Sequence, residues 1–253
     1  MTADGSGDPN GQRDGLGGPA ESGRSDRIGA FFDIDLTVLE VNSGTKWVGH
    51  QWKHDRMTML EVMRALWWTV QYRFGLLDFE AMAGRVIAGY RGQEVAPLEQ
   101  EVAAWFREEI AATICVQARE HVEAHRRSGH VIALLTSATR FLSAPVGRAL
   151  GVEHMLCTEV GEQDGRFTGT HVSPACYGAG KVLRAESFAA EHGIDLRRSF
   201  FYSDSFSDLP MLERVGEPRV INPDPRLRRL AQRRGWSVQT WRAPLGAPTM
   251  TCD

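Results

Sequence analysis

The stretch Phe31-Phe32-Asp33-Ile34-Asp35-Leu36-Thr37 constrains the fold of this chain more than any other segment. It continues an apolar run that begins at Ile28, and this pattern predicts a buried strand that ends at Phe32. Two carboxylates, Asp33 and Asp35, follow the strand directly. Because ligands bind beyond the carboxyl ends of the strands in an open α/β sheet, the pair predicts a functional site there. A capped turn after a strand is the simpler alternative.

Two carboxylates this close must be separated by a cation or a proton, because two ionised groups repel each other. Phosphoryl transfer makes use of such a pair. One carboxylate can attack phosphorus and form an aspartyl-phosphate. The other can protonate the leaving oxygen and later deprotonate the attacking water. We therefore regard Asp33 and Asp35 as candidate catalytic residues.

The composition is that of an ordinary globular protein, and it argues against several other classes. The 253 residues allow one or two domains, and 42% hydrophobic with 24% charged residues are enough for a proper core. The net charge of -3 argues against a general nucleic-acid binder. The cysteines have no paired spacing and indicate neither a zinc site nor a disulfide framework: Cys115, Cys157, Cys176 and Cys252.

Both ends of the chain are expected to lie outside the folded part. Residues 1–26 contain no apolar run, so they do not resemble a signal peptide. Their content of Gly, Asp, Ser and Pro predicts a disordered tail. Residues 244–253 are predicted to form a flexible C-terminal tail. Without a signal peptide, the expected location is cytoplasmic.

Residues 45–127 have helical rather than strand-like patterning, and glycines and a proline divide them into about four helices. This segment is too long for an ordinary crossover between two strands. We interpret it as a smaller helical cap domain that covers the site. The catalytic core would then consist of residues 27–44 and 128–243.

One helix of the predicted cap, Met57 to Val70, is unusually apolar and aromatic. Glu61 and Arg64 interrupt it, so it is not a good membrane span. We expect a buried cap helix. The alternative is an apolar wall that faces a lipid-like substrate or makes peripheral contact with a membrane surface.

Two histidine pairs, His50/His54 and His121/His125, have the i,i+4 spacing of zinc ligands on a helix. Neither pair has an obvious third ligand in the sequence. We therefore expect them to be solvated or to lie at the edge of a core.

The rest of the sequence alternates between short apolar strands and helices. This pattern is typical of a doubly wound α/β fold with a mostly parallel sheet. Segments 152–158 and 166–171 are either further strands or a hairpin. The other predicted strands are residues 130–135, 199–202 and 217–221, and the predicted helices are residues 180–192, 209–215 and 224–234.

Three further places along the chain carry polar groups that complement the carboxylate pair. Thr136 and Ser137 follow the second predicted strand, where a hydroxyl beside a helix N-terminus suits phosphate oxygens. Lys181 opens a later helix and supplies a point charge for phosphate. Asp204 and Asp208 follow a later strand and offer oxygen ligands for a hard dication.

This ordered set resembles the haloacid dehalogenase superfamily of phosphohydrolases, over about Arg27 to Trp241. The first motif is close to the family pattern, and so is Tyr202-Ser203-Asp204-Ser205-Phe206-Ser207-Asp208-Leu209-Pro210-Met211-Leu212. That run, and a cap between the first two motifs, are similar to the phosphoserine-phosphatase-like branch. The resemblance implies a Rossmann-like core with a helical cap inserted after the first strand.

The resemblance also implies roles for the four aspartates. Asp33 would be the nucleophile, and Asp35 would be the general acid and base. Asp204 would ligate Mg²⁺ together with Asp33 and the main-chain carbonyl of Asp35. Asp208 would support the metal site. Mg²⁺ suits this oxygen-only ligand set better than a soft metal.

By the same resemblance, Thr136, Ser137 and Lys181 would hold the phosphoryl group. A carboxylate that attacks a phosphate dianion meets a like charge. At ~4 Å each pair of unit charges costs about 1 kcal/mol in water and about 4 kcal/mol at an effective dielectric of ~20. Lys181 and Mg²⁺ are the groups that reverse the sign of this interaction.

Two candidate specificity residues test the likeness to phosphoserine phosphatases. Those enzymes recognise the substrate amine with a glutamate in the loop after the first motif. The aligned position here is Asn42, with Glu40 two residues off register. Arg85 is a counterpart of the cap arginine that recognises the carboxylate. We therefore expect a related small-molecule phosphatase rather than a phosphoserine phosphatase.

Together these patterns predict a Mg²⁺-dependent phosphomonoester hydrolase that acts on a small phosphorylated metabolite through an aspartyl-phosphate. Dehalogenation is disfavoured, because it would leave Asp35 and Asp204 idle. One alternative is a phosphotransferase that uses the same intermediate. Another is a catalytically silent binding module, against which the intact Asp33, Asp35, Lys181 and Asp204 speak. Neither the substrate nor the oligomeric state follows from the sequence.

Overall fold

The computed structural model of the chain describes residues 26–74 and 78–244. The predicted N-terminal and C-terminal tails lie outside the described residues, apart from Asp26 and Pro244. Every helix in the described ranges is too short or too polar to cross a membrane.

The strands of the described residues form one six-stranded parallel sheet and one antiparallel hairpin. They are β1 (Gly29–Phe32), β2 (Val131–Thr139), β3 (His154–Thr158), β4 (Val160–Gln163), β5 (Arg166–His171), β6 (Phe200–Ser203), β7 (Glu217–Ile221) and β8 (Ser237–Gln239). The sheet has the order β3-β2-β1-β6-β7-β8, and β4 pairs with β5. The predicted α/β class with a parallel sheet is confirmed. Strand β8, which extends one edge, was not predicted.

Helices flank the sheet and fill the long insert after β1. They are α1 (Ser43–Lys53), α2 (Met59–Phe74), α3 (Phe79–Ala88), α4 (Val95–Trp105), α5 (Val116–Arg127), α6 (Arg140–Leu150), α7 (Ala179–His192), α8 (Leu209–Arg214) and α9 (Pro225–Arg234). Short helical turns, Phe106–Ile110 and Ala111–Thr113, connect α4 to α5. Helix α7 ends at Gly193, whose φ of 64° suits the left-handed residue that closes a helix.

The winding of the sheet reverses between β1 and β6. After β1 the chain runs to β2 and β3 on one side, and it then returns to β6 on the other. Open α/β sheets bind ligands at such a switch point. Phe32 lies opposite Tyr202 in the ladder, and the Asp33 N–H donates to the Tyr202 carbonyl at 2.9 Å. Asp33 is therefore the first residue beyond the sheet at the switch point.

The sheet is covered on both faces because neighbouring residues of a strand point to opposite sides. Phe32 stacks on Tyr202 on one face, with ring centroids 4.4 Å apart. Phe31 points to the other face and meets the edge of Phe188 from α7 at 6.2 Å. Burying an aromatic side chain of this size contributes about 1.5–3 kcal/mol. The packing of Phe31 and Phe32 therefore fixes the position of the C-terminal end of β1 in the sheet.

Helix α5 packs on the Phe32 side of the sheet. Ala118 and Val122 are buried among the sheet side chains, and the Tyr202 hydroxyl lies 2.8 Å from Nε2 of His125. The predicted cap, residues 45–127, includes this helix. That domain division stays a prediction. We propose that the boundary lies just before α5, because α5 covers the sheet.

Helix α3 of the insert contacts the loop that leads into α7. The Glu80 carboxylate accepts a hydrogen bond from the Ala175 N–H at 2.9 Å and lies 2.9 Å from His171 Nε2. The Phe79 ring stacks on Tyr177, with centroids 4.4 Å apart. The insert and the loop before α7 are therefore in direct contact.

Helix α2 of the insert exposes an apolar face. Five large side chains of this helix are between 50% and 75% exposed: Met59, Leu60, Met63, Leu66 and Trp67. The expectation that this helix is buried is wrong for these five residues.

The histidines of the two predicted pairs lie at the edges of packed regions. Nδ1 of His50 lies 2.9 Å from the Glu109 carboxylate, and the ring stacks on Trp47. His125 is buried and hydrogen-bonded, with Nδ1 2.7 Å from Nδ1 of His130. These contacts agree with the prediction of core-edge histidines.

Gly180, the second residue of α7, allows the helix to approach the loop before it. A Cβ at this position would lie 2.0 Å from the Ala175 carbonyl oxygen, far inside contact distance. Only glycine therefore fits without a shift of the backbone that leads to Lys181.

We expect Gly180→Ala to lower the free energy of unfolding by about 1–3 kcal/mol, the usual cost of forcing extra atoms into a packed site. Gly49 in α1 offers the matched control, because a Cβ there meets nothing within 4 Å. Gly49→Ala should raise the free energy of unfolding by about 0.5–1 kcal/mol. Urea unfolding of both variants measures the difference, and a neutral Gly180→Ala would contradict the close approach.

Candidate active site

A buried lysine joins two carboxylates at the switch point. Nζ of Lys181 donates to Oδ1 of Asp33 at 2.8 Å and to Oδ2 of Asp208 at 2.7 Å. All three side chains are buried. Burial acts to lower the pKa of Lys181, but the charges of Asp208 and Asp33 raise it well above its ordinary value. The site therefore holds a fixed positive charge.

Asp208 anchors this lysine. It lies in the turn Phe206–Asp208 that precedes α8, and its Oδ2 also accepts a hydrogen bond from the Ser203 hydroxyl at 2.7 Å. Asp208 thus holds Lys181 in place, and its predicted support of a metal site stays a prediction. Ser203 was missed in the sequence, where its only signal is a hydroxyl residue directly before Asp204.

Asp204 lies at the end of β6, beside the carboxylates described above. The Thr37 hydroxyl donates to its Oδ1 at 3.4 Å. Burial raises the pKa of Asp204 well above its ordinary value, and the charges of Asp33 and Asp208 raise it further. Three buried carboxylates thus lie near one lysine, which is hydrogen-bonded to two of them, Asp33 and Asp208. This excess of negative charge would be relieved by a proton or by a bound cation.

The Asp33 carboxyl shows the same imbalance. Burial raises the pKa of Asp33 to about 7, although Lys181 lowers it, and the charge of Asp208 adds to the increase. The desolvation of the carboxylate outweighs the neighbouring ammonium, because that ammonium is shared with Asp208.

Asp35 is oriented by the start of α1. Its Oδ1 accepts a hydrogen bond from the Ser43 N–H at 2.8 Å, and its Oδ2 accepts one from the Asn42 side-chain amide at 3.4 Å. The loop turns back through Leu36, which has a φ of 57° and donates its N–H to the Val41 carbonyl. Burial raises the pKa of Asp35, and the Ser43 N–H opposes this increase.

The two predicted hydroxyl residues lie in a strand rather than at a helix start. The expectation that the second strand ends before Thr136 is wrong: β2 continues to Thr139, which pairs with Thr158 of β3 beyond an irregularity. Thr136 is buried, and its hydroxyl oxygen accepts the Ala138 N–H at 3.2 Å. The Ser137 carbonyl accepts the Thr158 hydroxyl at 2.8 Å. Helix α6 begins only at residue 140, so its N-terminus is not adjacent to these hydroxyls.

The three residues considered for substrate specificity, Asn42, Glu40 and Arg85, have different surroundings in the structure. Asn42 caps α1, because its Oδ1 accepts hydrogen bonds from the N–H and the hydroxyl of Thr45 at 2.9 and 3.0 Å. Glu40 points to the C-terminal segment, where it accepts the Ala243 N–H at 3.0 Å. Arg85 lies exposed in the last turn of α3, and no contact among the described residues joins it to the Lys181 cluster.

A family model for haloacid dehalogenase-like hydrolases matches residues 30–213. The chain belongs to this family. The matched range contains every candidate site residue, from the Asp33 end of β1 to the turn that carries Asp208.

Similar proteins narrow the family to one branch. The phosphoserine phosphatase SerB1 of Mycobacterium tuberculosis is 35% identical over 231 residues, which cover 87% of this chain and 74% of that protein. A histidinol-phosphatase of Neisseria meningitidis is 30% identical and covers 83% of this chain and 96% of its own length. The predicted phosphoserine-phosphatase-like branch is confirmed, and with it the prediction of a phosphatase-class hydrolase.

The architecture also recurs in a solved structure. A crystal structure of a protein with unknown function from Bordetella pertussis Tohama I has a TM-score of 0.76 and 34% sequence identity. The match covers 84% of this chain and 97% of that one.

The raised pKa of Asp33 makes stability depend on pH. The folded protein keeps this proton up to about pH 7, whereas the unfolded chain loses it near 3.8. Stability from this group is therefore present below pH ~4 and is lost as the pH rises through ~7.

We expect Asp33→Asn to be more stable than the wild type above pH ~7 by at most about 4 kcal/mol, reduced by the lost Lys181 contact. The advantage should shrink as the pH falls towards ~4. Thermal unfolding in the presence of EDTA, across this pH range, measures it. Asp164→Asn in the exposed hairpin turn is the control. A pH-independent difference for Asp33→Asn would contradict the buried, protonated carboxyl.

Proposed function

We propose that this chain is a Mg²⁺-dependent phosphomonoesterase that works through an aspartyl-phosphate on Asp33. The observation that carries the proposal is the Lys181 ammonium, held 2.8 Å from Oδ1 of Asp33 at the switch point of the sheet. A phosphoryl group that Asp33 attacks would lie next to this ammonium. It offsets the like-charge encounter between a carboxylate and a phosphate dianion.

The reaction would proceed in two displacements. Asp33 attacks phosphorus, the bond to the ester oxygen breaks, and Asp35 gives its proton to that oxygen. Asp35 then takes a proton from water, which attacks phosphorus and releases Asp33 as a carboxylate. The raised pKa of Asp35 favours the protonated form that the first step requires. Ser43 and Asn42 support the proposal, because they orient this carboxyl.

The donor set beside Lys181 fits a hard dication. Asp33 and Asp204 offer buried carboxylate oxygens, and their raised pKa values reflect negative charge that a cation would neutralise. No group of three or more His, Cys, Asp or Glu side chains in residues 26–74 and 78–244 could hold a metal. The proposed metal site does not require such a group of three side chains, because its ligands are the carboxylates of Asp33 and Asp204 and the main-chain carbonyl of Asp35. When bound, Mg²⁺ would supply positive charge for the phosphoryl oxygens.

We further propose that the phosphoryl oxygens are held by the Thr136 hydroxyl, Ser137 and Lys181. The Thr136 oxygen accepts a hydrogen bond from the Ala138 N–H, which leaves its own proton to donate to phosphate. Ser137 lies next to it and is half-buried. The cytoplasmic location also stays a prediction.

The substrate is proposed to be a phosphate ester without an amino-acid head group. Asn42 can donate and accept hydrogen bonds but cannot neutralise a substrate ammonium. Glu40 accepts a hydrogen bond from the C-terminal segment, and Arg85 has no contact with the Lys181 cluster among the residues that the structure describes. An aromatic pair, Phe79 on Tyr177, lies at the loop that precedes α7, the helix that carries Lys181. This pair favours a substrate with an apolar or ring-containing leaving group.

The division of labour between the two carboxylates can be tested on leaving groups. Asp33→Asn should remove nearly all turnover of every ester, because its amide cannot form the acyl-phosphate. Asp35→Asn should lower kcat on an alkyl phosphate by about 10²–10⁴-fold and on a nitrophenyl phosphate far less, since that leaving group hardly needs a proton. Stopped assays on both esters measure this. Equal losses for Asp35→Asn would contradict its role as the acid.

The metal proposal has a test that does not use activity. Mg²⁺ at about 100 times its dissociation constant should raise the free energy of unfolding of the wild type by about 2.7 kcal/mol. Asp204→Asn should lose most of this gain, whereas Asp164→Asn should keep it. Thermal unfolding with MgCl₂ and with EDTA compares the three proteins. An undiminished gain in Asp204→Asn would exclude Asp204 as a ligand.

The specificity proposal predicts a ranking of substrates. The kcat/KM for phosphoserine should be about 10–100-fold below that for the best ester without a carboxylate, because a poorly paired head group is costly to desolvate. Histidinol phosphate and aryl phosphates are the informative comparisons. Phe79→Ala should lower kcat/KM for ring-containing esters, and the surface variant Val116→Ala should not. Phosphoserine as the best wild-type substrate would overturn this reading of Asn42.

A further inference from the structure

Leu36, the residue after Asp35, has a backbone conformation that leucine rarely adopts. Its φ of 57° and ψ of 4° lie in the left-handed region, which crowds the Cβ of an L-residue against the following carbonyl oxygen. Two hydrogen bonds hold it there. Its N–H donates to the Val41 carbonyl at 3.2 Å, and its carbonyl accepts the side-chain amide of Asn222 at 3.2 Å. Such outliers persist only where the surrounding structure holds them, and they are frequent at active sites.

Asn222 reaches Leu36 from a different part of the chain. It follows β7 directly, and its N–H donates to the Gln239 carbonyl of β8 at 3.0 Å. The side chain is held as well: Oδ1 accepts the Trp241 N–H at 3.0 Å, and Nδ2 donates to the Trp241 carbonyl at 3.2 Å. With the bond to Leu36, both amide protons are used. Asn222 therefore connects β7 and the chain after β8 to the loop after β1.

The same segment contacts the loop that follows β6. Asp224, two residues after Asn222, donates its N–H to the Asp204 carbonyl at 2.9 Å. Its Oδ2 accepts the Phe206 N–H at 2.6 Å, and its Oδ1 accepts the N–H of Leu227 in α9 at 2.9 Å. Asp224 is thus the N-cap of α9 as well as a contact of the active-site loop. All these bonds go to main-chain groups, so they fix the path of the loop whatever its side chains are.

We propose that Asn222 is a positioning residue for the reaction at Asp33. Through the segment 222–224, it fixes the loop that carries Asp35 relative to the loop that carries Asp204. The inference rests on the proposed function, because it concerns the placement of the carboxylates that act in that reaction. Its effect on the rate is geometric: a displacement of about 1 Å at a reacting group can lower a rate by about 10²-fold.

Two variants remove the contact in different ways. Asn222→Gly removes the three side-chain hydrogen bonds and keeps the backbone φ of 43°, which glycine adopts without strain. Asn222→Asp keeps the shape and the acceptor for Trp241 but has no amide proton for Leu36. Both should lower kcat on an alkyl phosphate by about 10–100-fold and change its KM by less than about threefold, because Lys181 stays in place.

A second measurement does not use activity. Hydrogen–deuterium exchange of residues 34–41 should become about tenfold faster in both variants, the effect of losing one hydrogen bond, whereas exchange within β1 should not change. The matched control is Asp164→Gly, because Asp164 also has a positive φ, 50°, but lies in the exposed turn between β4 and β5. It should match the wild type in kcat and in the exchange of residues 34–41.

The outcomes separate the inference from its alternatives. Unchanged exchange of residues 34–41 in both variants would overturn it, and so would faster exchange with an unchanged kcat. An equal loss of kcat in Asp164→Gly would also overturn it, because the loss would then reflect general destabilisation. Failure of the proposed function would look different: the wild type would then turn over no phosphate ester, while the exchange would still respond to Asn222→Gly.

Discussion

The ammonium group of Lys181 is the interaction on which the sheet edge depends. It brings together carboxylates from two separate parts of the chain, Asp33 after β1 and Asp208 before α8. An unpaired charge buried here would be strongly destabilising. The folded structure therefore needs all three segments, the end of β1, the start of α7 and the turn before α8, in contact. Gly180 allows this, because the start of α7 passes against the Ala175 carbonyl with no room for a side chain. The strand order thus sets the position of the switch point, and the ion pairs of Lys181 hold its segments together.

The sequence reveals groups whose signals are local. A strand that ends in two carboxylates, and a helix that opens near Lys181, can be recognised from a few neighbouring residues. The carboxyl ends of parallel strands then bring such groups to one edge. Ser203 could not be found in this way, because its role consists of a contact with Asp208 that depends on the turn between them. Likewise, β2 continues to Thr139 because it pairs with β3, a partner that no local pattern announces.

The insert shows a different limit of sequence patterns. Its apolar helix α2 was expected to be buried, since hydrophobic periodicity does not reveal what covers a face. Helix α3 contacts the loop before α7 through Glu80 and Phe79. Similarly, Arg85 lies in the insert, but it is exposed in the last turn of α3. The identity of an element can thus be predicted where its orientation cannot.

The position of Asn42 has a consequence for how substrate preference can change in this chain. Its oxygen starts α1 through Thr45, and its amide reaches the carboxyl of Asp35. A replacement that suits a new head group therefore also disturbs a helix terminus and the proton donor. A substitution at Asn42 therefore has several effects at once. Replacing Asn42 alone with the residue of a relative would not give this chain the substrate selectivity of that relative. A functional exchange would need compensating changes in the whole segment from the carboxyl to the first turn of the helix.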